Sequence, residues 1–206
     1  MQRFRLIWLV VFSLFFVLML NITLKYVSFE SDVAFLQIKQ TEVTSISLYI
    51  YIFYIHVITS IVTLLAGFTQ FNSLITRRFP KIHVALGRIY VYSVLVVAAP
   101  SGIYIGWYAN GGITSKIAFV GLGILWWLFT LIGVLKIKKK NLILHSKWMH
   151  RSFALACSAI TLRLWKVILV YLLQPSPMEL YQIIAWLGWI PNLLLIEYYL
   201  TKKIKP

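Results

Sequence analysis

Long apolar runs with almost no charge inside them leave this chain one medium in which to fold. A helix needs roughly 20 mostly apolar residues, rising about 1.5 Å each, to cross about 30 Å of hydrocarbon. Six stretches meet that length: Leu6–Tyr26, Ile46–Phe71, Val84–Ala109, Ile117–Leu135, Ser152–Leu173 and Met178–Leu200. Their apolar residues are continuous rather than alternating, which favours helices over barrel strands. Breakers fall between them, at Pro80, at Asn110-Gly111-Gly112 and at Pro175-Ser176-Pro177. Composition agrees. Of the residues, 61% are hydrophobic and 12% charged, against about 45–50% and about 25% in a soluble domain. The expected fold is an all-α, polytopic transmembrane helical bundle of about six spans, one integral membrane domain over residues 1–206, placed in the cell membrane.

The net charge of +15 is unevenly spread. One set of connectors holds Arg3, Arg5, Arg77, Arg78, Lys81, Lys136, Lys138, Lys139, Lys140, Lys147, Lys202, Lys203 and Lys205, whereas the other holds only Lys25, Lys39 and Lys116. The positive-inside rule then predicts both termini on the cytoplasmic side. The charge is expected to meet the anionic cytoplasmic leaflet rather than nucleic acid. Arg3 and Arg5 precede the first run, but no small-x-small cleavage site follows it, so an uncleaved anchor is expected rather than a signal peptide. A single cysteine, Cys157, excludes an internal disulfide framework and a Cys-rich zinc site. Walker, Rossmann, His-Glu-x-x-His and Gly-x-Ser-x-Gly patterns are all missing. No Asp or Glu falls within the membrane interior, since Glu197 lies near the end of the last run. That weakens a proton-relay or cation-transport reading.

Polar residues inside the runs require an explanation, because a charge at the centre of a span costs about 2.5–3.5 kcal/mol on insertion scales. Arg163 falls about 16 Å into the fifth run and His56 about 15 Å into the second. At matching depth they are candidates for one pocket, with Ser101 and Tyr104 nearby and Pro100 and Gly102 loosening the backbone there. The same side chains would equally serve as interhelical hydrogen-bonding glue. Arg88 and Arg151 lie close enough to the basic ends of their runs to snorkel. His83, His145 and His150 also collect at that end. Imidazoles facing one another from different helices are what a bis-histidine haem b requires. His83 and His145 are the candidate axial ligands, with Arg88 and Arg151 suited to the propionates. His150 is about 140° from His145 on a helical wheel and ill placed to share its ligand.

Several of these residues form an ordered set. His83-Val84-Ala85-Leu86-Gly87-Arg88-Ile89-Tyr90 reads H-x-x-x-G-R-x-Y and His145-Ser146-Lys147-Trp148-Met149 reads H-x-x-W-M. Arg151-Ser152-Phe153 and Thr161-Leu162-Arg163 follow, with His56, Gly67, Gln70-Phe71, Ser101-Gly102 and Gly111-Gly112 before them. In these residues the chain resembles the membrane proteins grouped as domain of unknown function 2306, over about residues 56–166. The resemblance implies that His56, His83, His145 and Arg163 are motif positions and leaves His150 outside the pattern. It departs at Thr69, where a proline is expected, and at Phe153, where a tyrosine is usual. The resemblance carries no settled activity. Architecturally, a bundle with several histidines is also similar to b-type cytochromes.

Three functions remain open on these residues. One is a histidine-ligated haem, redox or haem-handling bundle using His83 and His145. Another is a small-molecule or lipid-binding transporter or sensor using His56 and Arg163. The third is an assembly subunit with a membrane-protein partner. Whether the chain is an enzyme is not decided by any of them.

Overall fold

A computed structural model describes residues 2–71 and 73–203. Among the described residues every regular element is helical. Helix α1 (Gln2–Leu24) is followed by an extramembrane cap, a 3-10 turn at Ala34–Lys39 leading into α2 (Gln40–Ser45). Then come α3 (Tyr49–Gln70), the short α4 (Ser73–Arg78), α5 (Pro80–Tyr92) and α6 (Ala99–Trp107), with a π-helical stretch at Ser93–Ala98 joining the last two. Helix α7 (Gly112–Lys138) pairs with α8 (Leu142–Ala156), and α9 (Ser158–Leu173), α10 (Pro177–Leu187) and α11 (Ile190–Lys203) complete the bundle. Of the basic residues counted above, Arg3, Arg5 and Lys203 are described as backbone only, and Lys205 lies outside the described residues.

Among the described residues four helices are long and apolar enough to cross a bilayer: Tyr49–Gln70, Pro80–Trp107, Gly112–Lys138 and Pro177–Lys202. Leu142–Ala156 and Ser158–Leu173, bent by 41° between them, make a fifth when taken as one. At the expected first span, the apolar helix described to its side chains is Ser13–Leu24, shorter than a crossing.

Several span boundaries move, the fourth span starting at Gly112 rather than Ile117 and the second at Tyr49 rather than Ile46. The third helix starts at Pro80 rather than Val84, because a proline is well suited to the first helical turn, where its missing N–H is no loss. The fifth begins at Leu142 rather than Ser152, capped by Asn141, whose side chain accepts from the Leu144 N–H. The polar string His145–Arg151 had hidden that start, although α8 packs along α7 through Met149, Ser152 and Phe153. The expected turns hold. Gly111 and Gly112 adopt positive φ of 83° and 73°, and Ser176 with Glu179 forms a capping box ahead of α10.

The end opposite the lysine-rich turns is closed by the cap. Lys39, counted from sequence as a surface charge, is 1% exposed. Its ammonium donates to Glu42 Oε1 at 2.7 Å, to Asn110 Oδ1 at 2.5 Å and to Tyr108 O. Three oxygen acceptors satisfy the three N–H donors of a buried ammonium, the condition under which such a charge is tolerated. Leu36 and Tyr49 are fully buried beneath, with Tyr26, Phe53 and Tyr54.

Candidate functional site at the basic end

Four helices, α3, α5, α7 and α8, meet at the basic end, where a side-chain amide and a backbone carbonyl fix two imidazoles. Gln70, the last residue of α3, lays its amide alongside one turn of α5. The amide is oriented by the backbone it touches: Nε2 donates to His83 O at 3.2 Å, and Oε1 accepts from Gly87 N–H at 3.1 Å and from Thr69 Oγ1 at 3.2 Å. In that orientation Nε2 also faces His83 Nδ1 at 3.2 Å. Nδ1 is therefore an acceptor, and the ring proton of neutral His83 resides on Nε2. Gly87 is required for this approach, since a Cβ there would stand 2.8 Å from the Gln70 amide.

His145 is fixed the other way. Its Nδ1 lies 2.8 Å from Gly133 O on α7, and because a carbonyl can only accept, Nδ1 carries the proton and Nε2 keeps its lone pair. His145 is close enough to His83 to act on it electrostatically. The two sequence-predicted ligands thus stand at the same end of the bundle, with opposite hydrogen-bonding polarity. His83 offers an N–H, His145 a lone pair.

Beneath them lies a saturated polar layer. Tyr90 OH and Ser152 Oγ are 2.7 Å apart, Ser152 Oγ and Thr130 Oγ1 are 2.7 Å apart, and Trp126 Nε1 donates to Tyr90 OH at 3.2 Å. All four residues are buried. Gly67 admits the rings packed over it: a Cβ would fall 2.7 Å from both Tyr90 and Phe153. The two arginines do not join the histidine pair. Arg151 is bound to Glu197 in fork geometry, Nε to Oε1 at 2.5 Å and Nη2 to Oε2 at 2.8 Å, with its guanidinium over Trp148. Arg88 is exposed and stands about 140° around α5 from His83. His150 donates from Nδ1 to Ser146 O at 2.7 Å and lies between the rings of Phe71 and Tyr199. Among the described residues no group of three His, Cys, Asp or Glu is placed to hold a metal ion.

The second expected constellation separates. His56 Nδ1 donates to Ala98 O at 3.0 Å, with Ser101 Oγ at 3.1 Å, and its Nε2 takes Ser60 Oγ at 3.3 Å. The ring lies against Gly102, where a Cβ would come within 3.0 Å of Cε1. Ser101 is thus brought to His56 as expected, but both ring nitrogens are already engaged. Tyr104 packs instead with Tyr108, ring centroids 5.4 Å apart, at the edge of the capped cluster. Arg163 donates from Nη1 to Ala159 O, one turn back on its own helix, at 2.6 Å and faces Tyr26. No hydrogen bond or ion pair joins Arg163 to His56 among the described residues.

The sequence reading missed Gln70 as a partner of His83 and Glu197 as the partner of Arg151. The Gln70 signal was present, since Gln-Phe closes α3 immediately before the H-x-x-x-G turn. The Glu197 signal was only its position near the basic end of the last run.

Residues 53–200 match the family described as predicted membrane protein, DUF2306. The chain belongs to this family. The match begins just before His56 and runs on through most of α11, beyond the expected core of 56–166, so that Glu197 and Asn192 fall inside it. No curated protein matches the chain, and no solved structure does. With several helices able to span a bilayer, it is a multi-pass integral membrane protein.

Proposed function

We propose that this protein binds the polar head of a membrane amphiphile at its basic end, as a lipid-type sensor or carrier, through His83 and His145. The opposite polarity of the two imidazoles carries the reading. A head group that both accepts and donates, such as a carboxylic acid or an alcohol, complements His83 N–H and the His145 lone pair together, whereas an ester complements only the first. The exposed apolar residues Ile82, Val84, Leu142 and Ile143 beside the pair suit its tail. We further propose the arrangement in which it acts: six spans, both termini cytoplasmic, and Lys136, Lys138, Lys139 and Lys140 against anionic lipid.

Purified protein in neutral detergent tests this. Dodecanoic acid and dodecanol should raise the thermal midpoint and methyl dodecanoate should not. His83→Phe and His145→Phe should each abolish the difference. Equal response to all three amphiphiles would sink the reading.

A second reading is favoured by one observation. Nδ1–H bonded to a backbone carbonyl, with Nε2 bare, is the second-shell arrangement common to metal-ligating histidines, and His145 has it. His145 fits an axial ligand of haem b. His83 does not in its present tautomer, and Arg151 is already paired. A Soret band after haem-supplemented expression, lost in His145→Ala, would put this reading in place of the first.

A further inference from the structure

The chain has five acidic side chains, and each is engaged away from Arg163. Glu42 is held by Lys39 and Glu197 by Arg151. Glu179 is tied to Ser176 in the capping box of α10. Glu30 and Asp32 act on Tyr54. The half-buried Arg163 therefore has no carboxylate partner among the described residues. It places one of its five N–H donors on Ala159 O, at 2.6 Å, and no other acceptor among the described residues reaches the guanidinium. A charged fork left so incomplete in a membrane helix is costly.

Its position shows where further acceptors lie. Taken as one span, α8 and α9 carry Arg163 21 residues past Leu142, about 31 Å along the bent helix. The hydrocarbon is about 30 Å thick, so the guanidinium reaches the leaflet opposite the basic end, at the depth of its lipid phosphates. Tyr26 of the capped cluster, which it faces across the α1–α9 seam, belongs to that same end. The Tyr26 hydroxyl is already taken as acceptor by Phe35 N–H. Toward the end of α9, Val167 and Val170 lie within about 40° of Arg163 around the helix and are exposed, so a guanidinium snorkelling outward would pass over apolar surface. Lys25, next to Tyr26, and Lys166, one turn beyond Arg163, are exposed and in no ion pair among the described residues. Three cations thus flank one seam without a protein anion.

We propose that the α1–α9 seam binds the phosphate of a phospholipid from that leaflet, with Arg163 as its fork donor and Lys25 and Lys166 on either side. Arginine presents parallel N–H donors to two phosphate oxygens, which a lysine does not reproduce. A neutral lipid leaves those donors empty, and a soluble phosphate makes no use of the exposed Leu20 and Leu24 of α1. The site lies at the opposite end from the histidine pair and shares no residue with it.

Native mass spectrometry of the full-length protein, released from neutral detergent, tests this. The titrants are dioleoylphosphatidylglycerol, dioleoylglycerol, which keeps the chains without the phosphate, and glycerol 3-phosphate, which keeps the phosphate without the chains. The first should bind at least tenfold more tightly than either of the others. Arg163→Gln should weaken it at least tenfold, the scale of one hydrogen bond to a charged group, and Arg163→Lys should recover only part of that loss. Arg88→Gln, which removes the same charge from the surface of the basic end, should bind as the native chain does. Native affinity in Arg163→Gln would assign the lipid to the lysine-rich turn and overturn the proposal. Equal binding of dioleoylglycerol or of glycerol 3-phosphate overturns it as well. If Arg163→Gln fails to accumulate, the charge-conserving Arg163→Lys decides: weakened binding supports the fork, and native affinity overturns it.

Discussion

The midplane around His56 and the basic end around His83 use the same residue type to opposite effect. At His56, Nδ1 meets the Ala98 carbonyl and Nε2 meets Ser60, so the ring is saturated within the protein and ties α3 to the π-helical turn. At the basic end each of His83 and His145 has one nitrogen fixed by a neighbour, Gln70 for one and Gly133 for the other, and the second nitrogen left over. A histidine at membrane depth is therefore no guide to a site until both nitrogens are accounted for. The saturated ring is a structural cross-link, and the half-satisfied ones are where chemistry is available.

The strongest way to break the comparison is to overfill the packing beneath the basic end. Gly67→Leu would drive new atoms into the Tyr90 and Phe153 rings. It should cost about 3 kcal/mol or prevent accumulation, measured by the unfolding midpoint in detergent and by membrane yield. His56→Ala comes next. It removes the donor to Ala98 O and leaves a void, and should cost about 2 kcal/mol while the amphiphile response at the basic end is unchanged. Loss of that response at unaltered stability would reverse the assignment of the two regions. Gln70→Leu should cost about 1–2 kcal/mol, because its amide partners His83 O and Gly87 N–H. It should also release the His83 tautomer, seen as averaged ¹⁵N ring shifts in place of a protonated Nε2. The smallest stability change is expected for His145→Gln, about 1 kcal/mol or less, with the discrimination between acid and ester lost.

That the chain is a bundle of long apolar helices was legible in the apolar runs, because hydropathy over about 20 residues is a strong local signal. The described residues nevertheless hold four to five candidate spans against the six expected. The H-x-x-x-G-R-x-Y string was legible too, and its glycine has a physical reason in the Gln70 approach. What local reading could not reach was pairing over distance. Glu197 neutralises Arg151 across 46 positions, and Lys39 finds Tyr108 and Asn110 about 70 residues away. The depth match between Arg163 and His56 failed because the start of the fifth helix was misplaced. The sequence count for Arg163 starts at Ser152, whereas the helix starts ten residues earlier at Leu142, which carries Arg163 about 31 Å along it, toward Tyr26 of the capped cluster and away from the level of His56.

The π-helical stretch Ser93–Ala98 decides which residues of the third membrane helix can look at α3. Nineteen residues separate His83 from Gly102. In an unbroken α-helix that interval would leave them about 100° out of phase. The wide i→i+5 turn absorbs one residue and restores the phase, so that His83, Gly87 and Tyr90 near one end and Ala98 and Gly102 near the other all address the same neighbour. The wide turn also leaves Leu95 O pointing at residue 100, a proline with no N–H, and Trp127 Nε1 supplies the missing donor at 3.0 Å. Insertions and deletions within residues 93–98 are consequently not equivalent to substitutions there. Removing one residue would let the helix close its ladder and, in doing so, turn one half of its face away from α3, as a gear that has lost a tooth drives its partner out of step.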